Sequence, residues 1–150
     1  MSREVVVVAW APVADATELA VATAAEVLGR HPGPVHHHCP FCGSVEHGRP
    51  SFDAPVHLSV AHAPGLSVVA VSTAGPVGVD VEKAGTADAG WVRDEAVGKA
   101  YGVGLTGETG PAQVIDLALP GHLAAVAVRA GAMPEVRLAA PAAPPSPASP

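Results

Sequence analysis

The chain predicts an α+β fold with a mostly antiparallel sheet. Three observations carry this. Runs of Val, Ile, Leu and Ala with strand character outnumber helical repeats. Neighbouring runs are joined by short turns containing Pro and Gly, which suit hairpins better than crossovers. Only two segments have helical periodicity, and each ends at glycine. The sequence has 150 residues, 49% hydrophobic but only 3% aromatic, so its core must be built from Ala, Val and Leu. That length fits one domain, placed at 1–140. Residues 141–150 are only Pro, Ala and Ser and have no apolar period, which predicts a disordered tail.

Glu4 to Trp10 is a β-branched run, expected as a strand covered on both faces. Asp15 with Glu18 three residues on resembles a capping box, and a helix follows from about Ala16 to Leu28, stopped by Gly29. His31 to Pro50 is dense in Pro, Gly and His and reads as a loop. Val56 to Val60 and Leu66 to Ser72 are strands. Ala74-Gly75-Pro76 then turns the chain into the run Val77 to Glu82, so the strands on either side are expected to pair as an antiparallel hairpin. A second helix runs from about Ala89 to Tyr101, with apolar positions at 92, 96, 100 and 103, and Gly102 and Gly104 end it. Val114 to Leu119 and His122 to Arg129 form a hairpin at Pro120-Gly121, a type II turn. A weak strand covers Glu135 to Ala139. No internal sequence repeat is evident.

The formal net charge is −6 with eight Lys and Arg, which form no run or stripe, so the sequence gives no sign of nucleic-acid binding. The apolar run at Val5 to Trp10 is too short to cross a membrane, and Glu4 spoils the basic start expected of a signal peptide. Cys39 and Cys42 are too close to staple a long loop and fit a reducing compartment. The cytoplasm is the expected location, with no membrane partner.

The chemistry concentrates in two adjacent segments. Asp80 and Glu82 are two apart, so on a strand both carboxylates share a face. Glu95 and Lys99 are four apart and share a helix face. Three acids and one ammonium that converge are costly without a shared cation, and an all-oxygen site suits Mg²⁺, which commonly also holds phosphates. Chemistry on a phosphate ester or anhydride is the first expectation. The plain alternative is a solvated strand end beside an ordinary Glu-to-Lys pair.

These residues resemble the surfactin-synthetase-type 4'-phosphopantetheinyl transferases. Gly78-Val79-Asp80-Val81-Glu82 is similar to that family's G-[IV]-D-[IV]-E motif. Trp91-x-x-x-Glu95-Ala96-x-x-Lys99 is similar to W-x-x-x-E-[AS]-x-x-K, and Gly102-Val103-Gly104-Leu105 to the G-x-G-L after it. Upstream, Gly48-Arg49-Pro50 resembles G-[KR]-P, and Ser59-x-x-His62 resembles the S-x-S-H element. The motifs occur in the family's order. The resemblance implies transfer of the 4'-phosphopantetheine arm of coenzyme A onto a serine of an acyl or peptidyl carrier protein, with adenosine 3',5'-bisphosphate as the other product. It implies Mg²⁺ held by Asp80, Glu82 and Glu95. Glu95, directly or through water, or Lys99 would help remove the serine proton, with Lys99 also on the phosphates. Arg49 and His62 would grip the 3'-phosphate end of coenzyme A.

Three departures from the family pattern shape what to expect. Only Lys83 to Gly90 link the acidic strand to the second helix; eight residues span at most about 26 Å at about 3.3 Å each, enough for Glu95 to reach the metal. The serine before the histidine is Ala61, which removes a hydroxyl donor. The family has two similar α+β halves, whereas the first half here reads as one strand and one helix. These departures favour, as an alternative, a non-catalytic relative that binds coenzyme A or a carrier protein. A further alternative is a small zinc module: Cys39 and Cys42 with His47 and one of His36 to His38 have ligand chemistry for zinc, against the plain reading of a polar surface loop. His57 and His122 read as structural, Trp91 as a core anchor, and Arg93 and Lys83 as solvated.

Overall fold

A computed structural model describes residues 4–39, 42–43, 49–102 and 107–139. Nine strands and two helices occur among them, in the order β1 (Val5–Ala11), α1 (Thr17–Leu28), β2 (His36–His38), β3 (Arg49–Ser51), β4 (His57–Ala63), β5 (Leu66–Ser72), β6 (Val77–Lys83), α2 (Ala89–Tyr101), β7 (Gln113–Leu119), β8 (His122–Val128) and β9 (Glu135–Ala139). The class is α+β with mostly antiparallel sheets, as expected. The predicted tail at 141–150 lies outside the described residues.

The strands form a four-stranded sheet in the order β4-β5-β1-β9, a three-stranded sheet β6-β8-β7, and a small ladder β2-β3. The two larger sheets hide a repetition that the amino acids do not advertise. β1-α1-β4-β5 and β6-α2-β7-β8 have the same wiring. Each is a strand, a helix and a hairpin whose second strand pairs antiparallel with the opening strand. The first half is therefore a full unit of one helix and three strands, not the single strand and helix expected. Alternation on the strands requires only small apolar residues at matching faces. Ala and Val exchange freely at such positions, so the wiring repeats without the sequence repeating.

Alternation also explains why the inner strands are buried on both sides. On β5, Val68 and Ala70 enter a core between the sheets, together with Val6 and Val8 of β1 and Val77, Val79 and Val81 of β6. Val69 and Val71 face the other way, into a cluster with Ala20 and Ala24 of α1. On the far side of the second sheet, Val92, Ala96 and Ala100 of α2 pack on Ala125 and Ala127 of β8. The helices thus cover the outer faces. This all-Ala/Val packing allows close approach: a Cβ on Gly78 would collide with Ala96 O, Ala100 N and Lys99 Cβ, so α2 lies directly on the β6 backbone.

Several expectations are corrected. β5 and β6 do not form a hairpin, because both edges of β5 are taken by β1 and β4. The amides of Ala74 and Gly75 donate to Ser72 Oγ at 3.1 and 3.3 Å, and Arg129 N–H donates to Pro76 O at 2.9 Å, which carries the chain into the second sheet. β6 pairs with β8 instead, and β9 lies parallel to β1. There is no capping box on α1. The N-cap is Ala16, and Asp15 Oδ1 instead accepts from Thr17 N at 2.8 Å. Gly29 does end that helix, at φ +74°. The loop expected over His31 to Pro50 contains the short β2-β3 ladder, with His37 opposite Pro50. Trp91 is no core anchor: it is 46% exposed, one position off the buried stripe of α2. Among the described residues no helix is long and apolar enough to cross a membrane.

Candidate active site

The acidic strand and the second helix meet as their spacing implies. Val77, Val79 and Val81 of β6 point into the inter-sheet core, so Asp80 and Glu82 point to the side covered by α2. α2 begins at Asp88, whose Oδ1 accepts from Trp91 N at 2.8 Å, a good N-cap. That start sets Glu95 and Lys99 over β6. Lys99 Nζ lies 3.4 Å from Asp80 Oδ1 and 3.4 Å from the Val60 carbonyl of β4. The eight-residue link is therefore long enough to bring Lys99 to Asp80.

Asp80 is the centre of the site. Its side chain is 10% exposed, and its Oδ2 is buried with no hydrogen-bond partner. Burial pushes its carboxyl above the usual carboxylate range. Lys99 opposes that shift, while the charges of Glu82 and Glu95 add to it. The charges of Glu82 and Glu95 thus both act on Asp80 at the β6–α2 face. Among the described residues, no three His, Cys, Asp or Glu side chains are gathered so as to hold a metal ion. What fits a cation is the orphaned Asp80 oxygen, an all-oxygen donor set, and a net excess of negative charge around one lysine.

β4 connects this site to a cavity. Ser59, expected in a phosphate-binding motif, is buried, and its Oγ accepts from Val79 N at 3.0 Å, which ties β4 to β6. Val60 presents its carbonyl to Lys99 and lines a cavity of about 560 Å³. Asp15 and Thr17 at the start of α1, His37 of β2, Pro50 of β3 and His62 of β4 form other parts of its wall. His62 Nδ1 is 2.8 Å from Ser67 Oγ. Ala61 is 2% exposed and belongs to the inter-sheet core, so its side chain is on the opposite face of β4 from His62. A hydroxyl at that position would be in the core, not in the cavity.

Arg49 is placed elsewhere. It lines a second cavity of about 520 Å³ with His38, His57 and Gly102, and the two cavities share only Pro50 and Leu58. Its guanidinium lies against Gly102 at the end of α2. Burial, then the charge of Arg129, pushes Arg49 below the usual guanidinium range. Arg129 in turn lies 4.2 Å from the Tyr101 ring centroid. Burial, then the charge of Arg49, lowers the pKa of His57. The structure therefore brings Asp80 and Lys99 into contact, leaves Glu82 and Glu95 close enough for their charges to act on Asp80, puts His62 on the adjoining cavity, and separates Arg49 from His62.

The remaining sequence candidates stay apart from this site. Arg93 pairs with Asp116 on β7 across the exposed edge of α2, and Lys83 is exposed. His122 is structural, its Nδ1 donating to Pro120 O at 2.8 Å. In the Cys/His loop, Cys39 is buried, Cys42 is exposed, and Gly43 N donates to Cys39 O at 2.8 Å. His47 and Gly48 lie outside the described residues, as do Val103, Gly104 and Leu105. Sequence reading missed Ser67, whose Oγ meets His62 across the β4-β5 hairpin, and Arg129, whose charge acts on Arg49.

The chain matches no protein-family model and no curated protein.

Proposed function

We propose that this chain is a Mg²⁺-dependent 4'-phosphopantetheinyl transferase that moves the phosphopantetheine arm of coenzyme A onto a serine of an acyl or peptidyl carrier protein in the cytoplasm. The observation that carries the reading is Asp80, buried with an unpartnered oxygen beside Lys99 and within the field of Glu82 and Glu95. The ordered motifs around it support the reading. So does the repeated strand-helix-hairpin unit, since the resembled family has two similar α+β halves.

Asp80, Glu82 and Glu95 would hold the ion. Bound there, Mg²⁺ would offset charge on the pyrophosphate oxygens. The residues of the chain do the rest. Lys99 gives a second positive charge to the phosphates, fixed by its contacts with Asp80 and Val60. Glu95 accepts the serine proton, directly or through water, as the serine oxygen bonds to phosphorus and adenosine 3',5'-bisphosphate departs. Such transfers depend on positioning and charge more than on covalent help from the protein. His62, on the cavity that adjoins Lys99 through Val60, takes the 3'-phosphate end.

The test is to incubate the protein with coenzyme A, Mg²⁺ and an apo carrier protein and to weigh the carrier. The expected result is a mass gain of one phosphopantetheine group. No gain across several acyl and peptidyl carriers would sink the proposal.

A further inference from the structure

His62 cannot choose its own tautomer. Its cross-strand partner in the β4-β5 ladder is Ser67, which is 0% exposed. Ser67 Oγ lies 2.6 Å from the Val13 carbonyl and 2.8 Å from His62 Nδ1. A carbonyl oxygen only accepts, and a serine hydroxyl has one proton to give. That proton goes to Val13. Toward His62 the serine oxygen must therefore accept, so Nδ1 carries the hydrogen. Nε2 is left as the ring's free nitrogen, on a side chain that lines the cavity at the start of α1.

We propose that Ser67 is the positioning residue of the His62 subsite, holding the ring as the Nδ1–H form so that Nε2 is offered to a phosphate monoester in the cavity. The proposal rests on the coenzyme A reading for the identity of that monoester. The Val13–Ser67–His62 chain has one polarity, and it is compatible with both charge states of the ring. In the neutral ring Nε2 is an acceptor, which a phosphate dianion does not satisfy. On binding, Nε2 takes one proton from solvent and becomes a donor to phosphate oxygen, while the Nδ1–H bond to Ser67 stays in place. No ring flip is required. The other titratable groups on the cavity wall are Asp15 and His37. Asp15 is held below the usual carboxylate range, first by its side-chain hydrogen bond to Thr17.

Two measurements test this on the full chain with the variants Ser67→Ala and Ser67→Thr. The first is imidazole nitrogen NMR without ligand. The wild type and Ser67→Thr should show His62 protonated at Nδ1, and Ser67→Ala should shift toward the Nε2–H form. A wild-type His62 protonated at Nε2, or a tautomer unchanged in Ser67→Ala, overturns the role of Ser67. The second is calorimetry with adenosine 3',5'-bisphosphate at about pH 8, where a free imidazole is neutral, in two buffers of different ionisation enthalpy. Wild type and Ser67→Thr should take up close to one proton per ligand, and Ser67→Ala should bind about tenfold more weakly, the scale of one hydrogen bond. Equal affinity of Ser67→Ala and wild type, or binding without proton uptake, overturns the proposal. If the wild type binds none, the coenzyme A reading and the ligand role of His62 both fall, and the NMR result alone judges Ser67 as the group that fixes the ring.

Discussion

Lys99 Nζ stands 3.4 Å from one carboxylate oxygen of Asp80, while the other oxygen of Asp80 is buried with no partner. One ammonium thus serves a carboxylate that needs more than it receives. The imbalance has consequences for stability that can be measured without any substrate.

The first is a pH dependence of unusual sign. Most carboxylates that matter to folding have lowered pKa values and stabilise the native state as pH rises. Asp80 is shifted upward, by burial first. The native state then holds its proton at pH values where the unfolded chain has lost it. Stability therefore falls as pH rises from the unfolded carboxylate value, about 3.9, through the folded value, and is level above it. Asp80→Asn should remove this decline and raise the melting temperature at neutral pH. Added Mg²⁺ should restore stability in the wild type, by about 2.7 kcal/mol at one hundred times its dissociation constant, and should do nothing for Asp80→Asn. Thermal melts across pH with and without Mg²⁺ check both. A wild type that does not respond to Mg²⁺ would remove Asp80 from the metal site.

A second prediction separates the two helix residues. Lys99→Met keeps the length of the side chain but removes its charge, so Asp80 loses the contact that opposes its upward shift. The variant should lose Mg²⁺-independent stability and transfer activity together. Glu95→Gln keeps shape and loses basicity, so it should lower the transfer rate by about 10²–10⁴, the range for general base catalysis, with little change in melting temperature. Rates come from carrier mass gain over time. An active Glu95→Gln would shift the base role to Lys99.

What could be read from the sequence was local. The faces of Asp80 with Glu82 and of Glu95 with Lys99 follow from two- and four-residue spacing, and the buried stripe Val92, Ala96, Ala100 follows from the helical period. What failed was long-range. The turn at Ala74-Gly75-Pro76 looks like a hairpin because a sequence shows the turn and not the partners that β1 and β4 already give β5. The repeated unit was hidden because interchangeable Ala and Val carry no signature of duplication. Arg49 and His62 are thirteen residues apart with a turn between them, and only the β2-β3 ladder reveals that they face different cavities.

Gly78 offers a third test, because it links packing to the site. α2 lies so close that a methyl group there meets the backbone of Ala96 and Ala100, which is unable to yield as a flexible side chain would. Gly78→Ala should push the helix away from β6 at the level of Lys99. Overpacking of this kind costs about 1–3 kcal/mol, which in a chain of this size is roughly 2–4 °C of melting temperature per kcal/mol. The transfer rate should fall even below the melting transition, since Glu95 and Lys99 move relative to Asp80. A Gly78→Ala protein with wild-type melting and activity would contradict the close contact.

The last prediction concerns Ala61, where the motif that β4 resembles has serine. If the missing hydroxyl were a lost phosphate contact, Ala61→Ser would improve coenzyme A binding. The strand geometry says otherwise. Ala61 is 2% exposed and packs between the sheets with Leu66 and Val68, while His62 next to it lines the cavity. Alternation on β4 puts the two side chains on opposite faces. A serine at 61 would bury its hydroxyl among apolar side chains, at a cost of about 1–3 kcal/mol if it finds no partner. Ala61→Ser should therefore lower the melting temperature and leave the Michaelis constant for coenzyme A unchanged. A tighter constant would show that position 61 reaches the ligand, and would place the β4 side chains on faces other than those seen here.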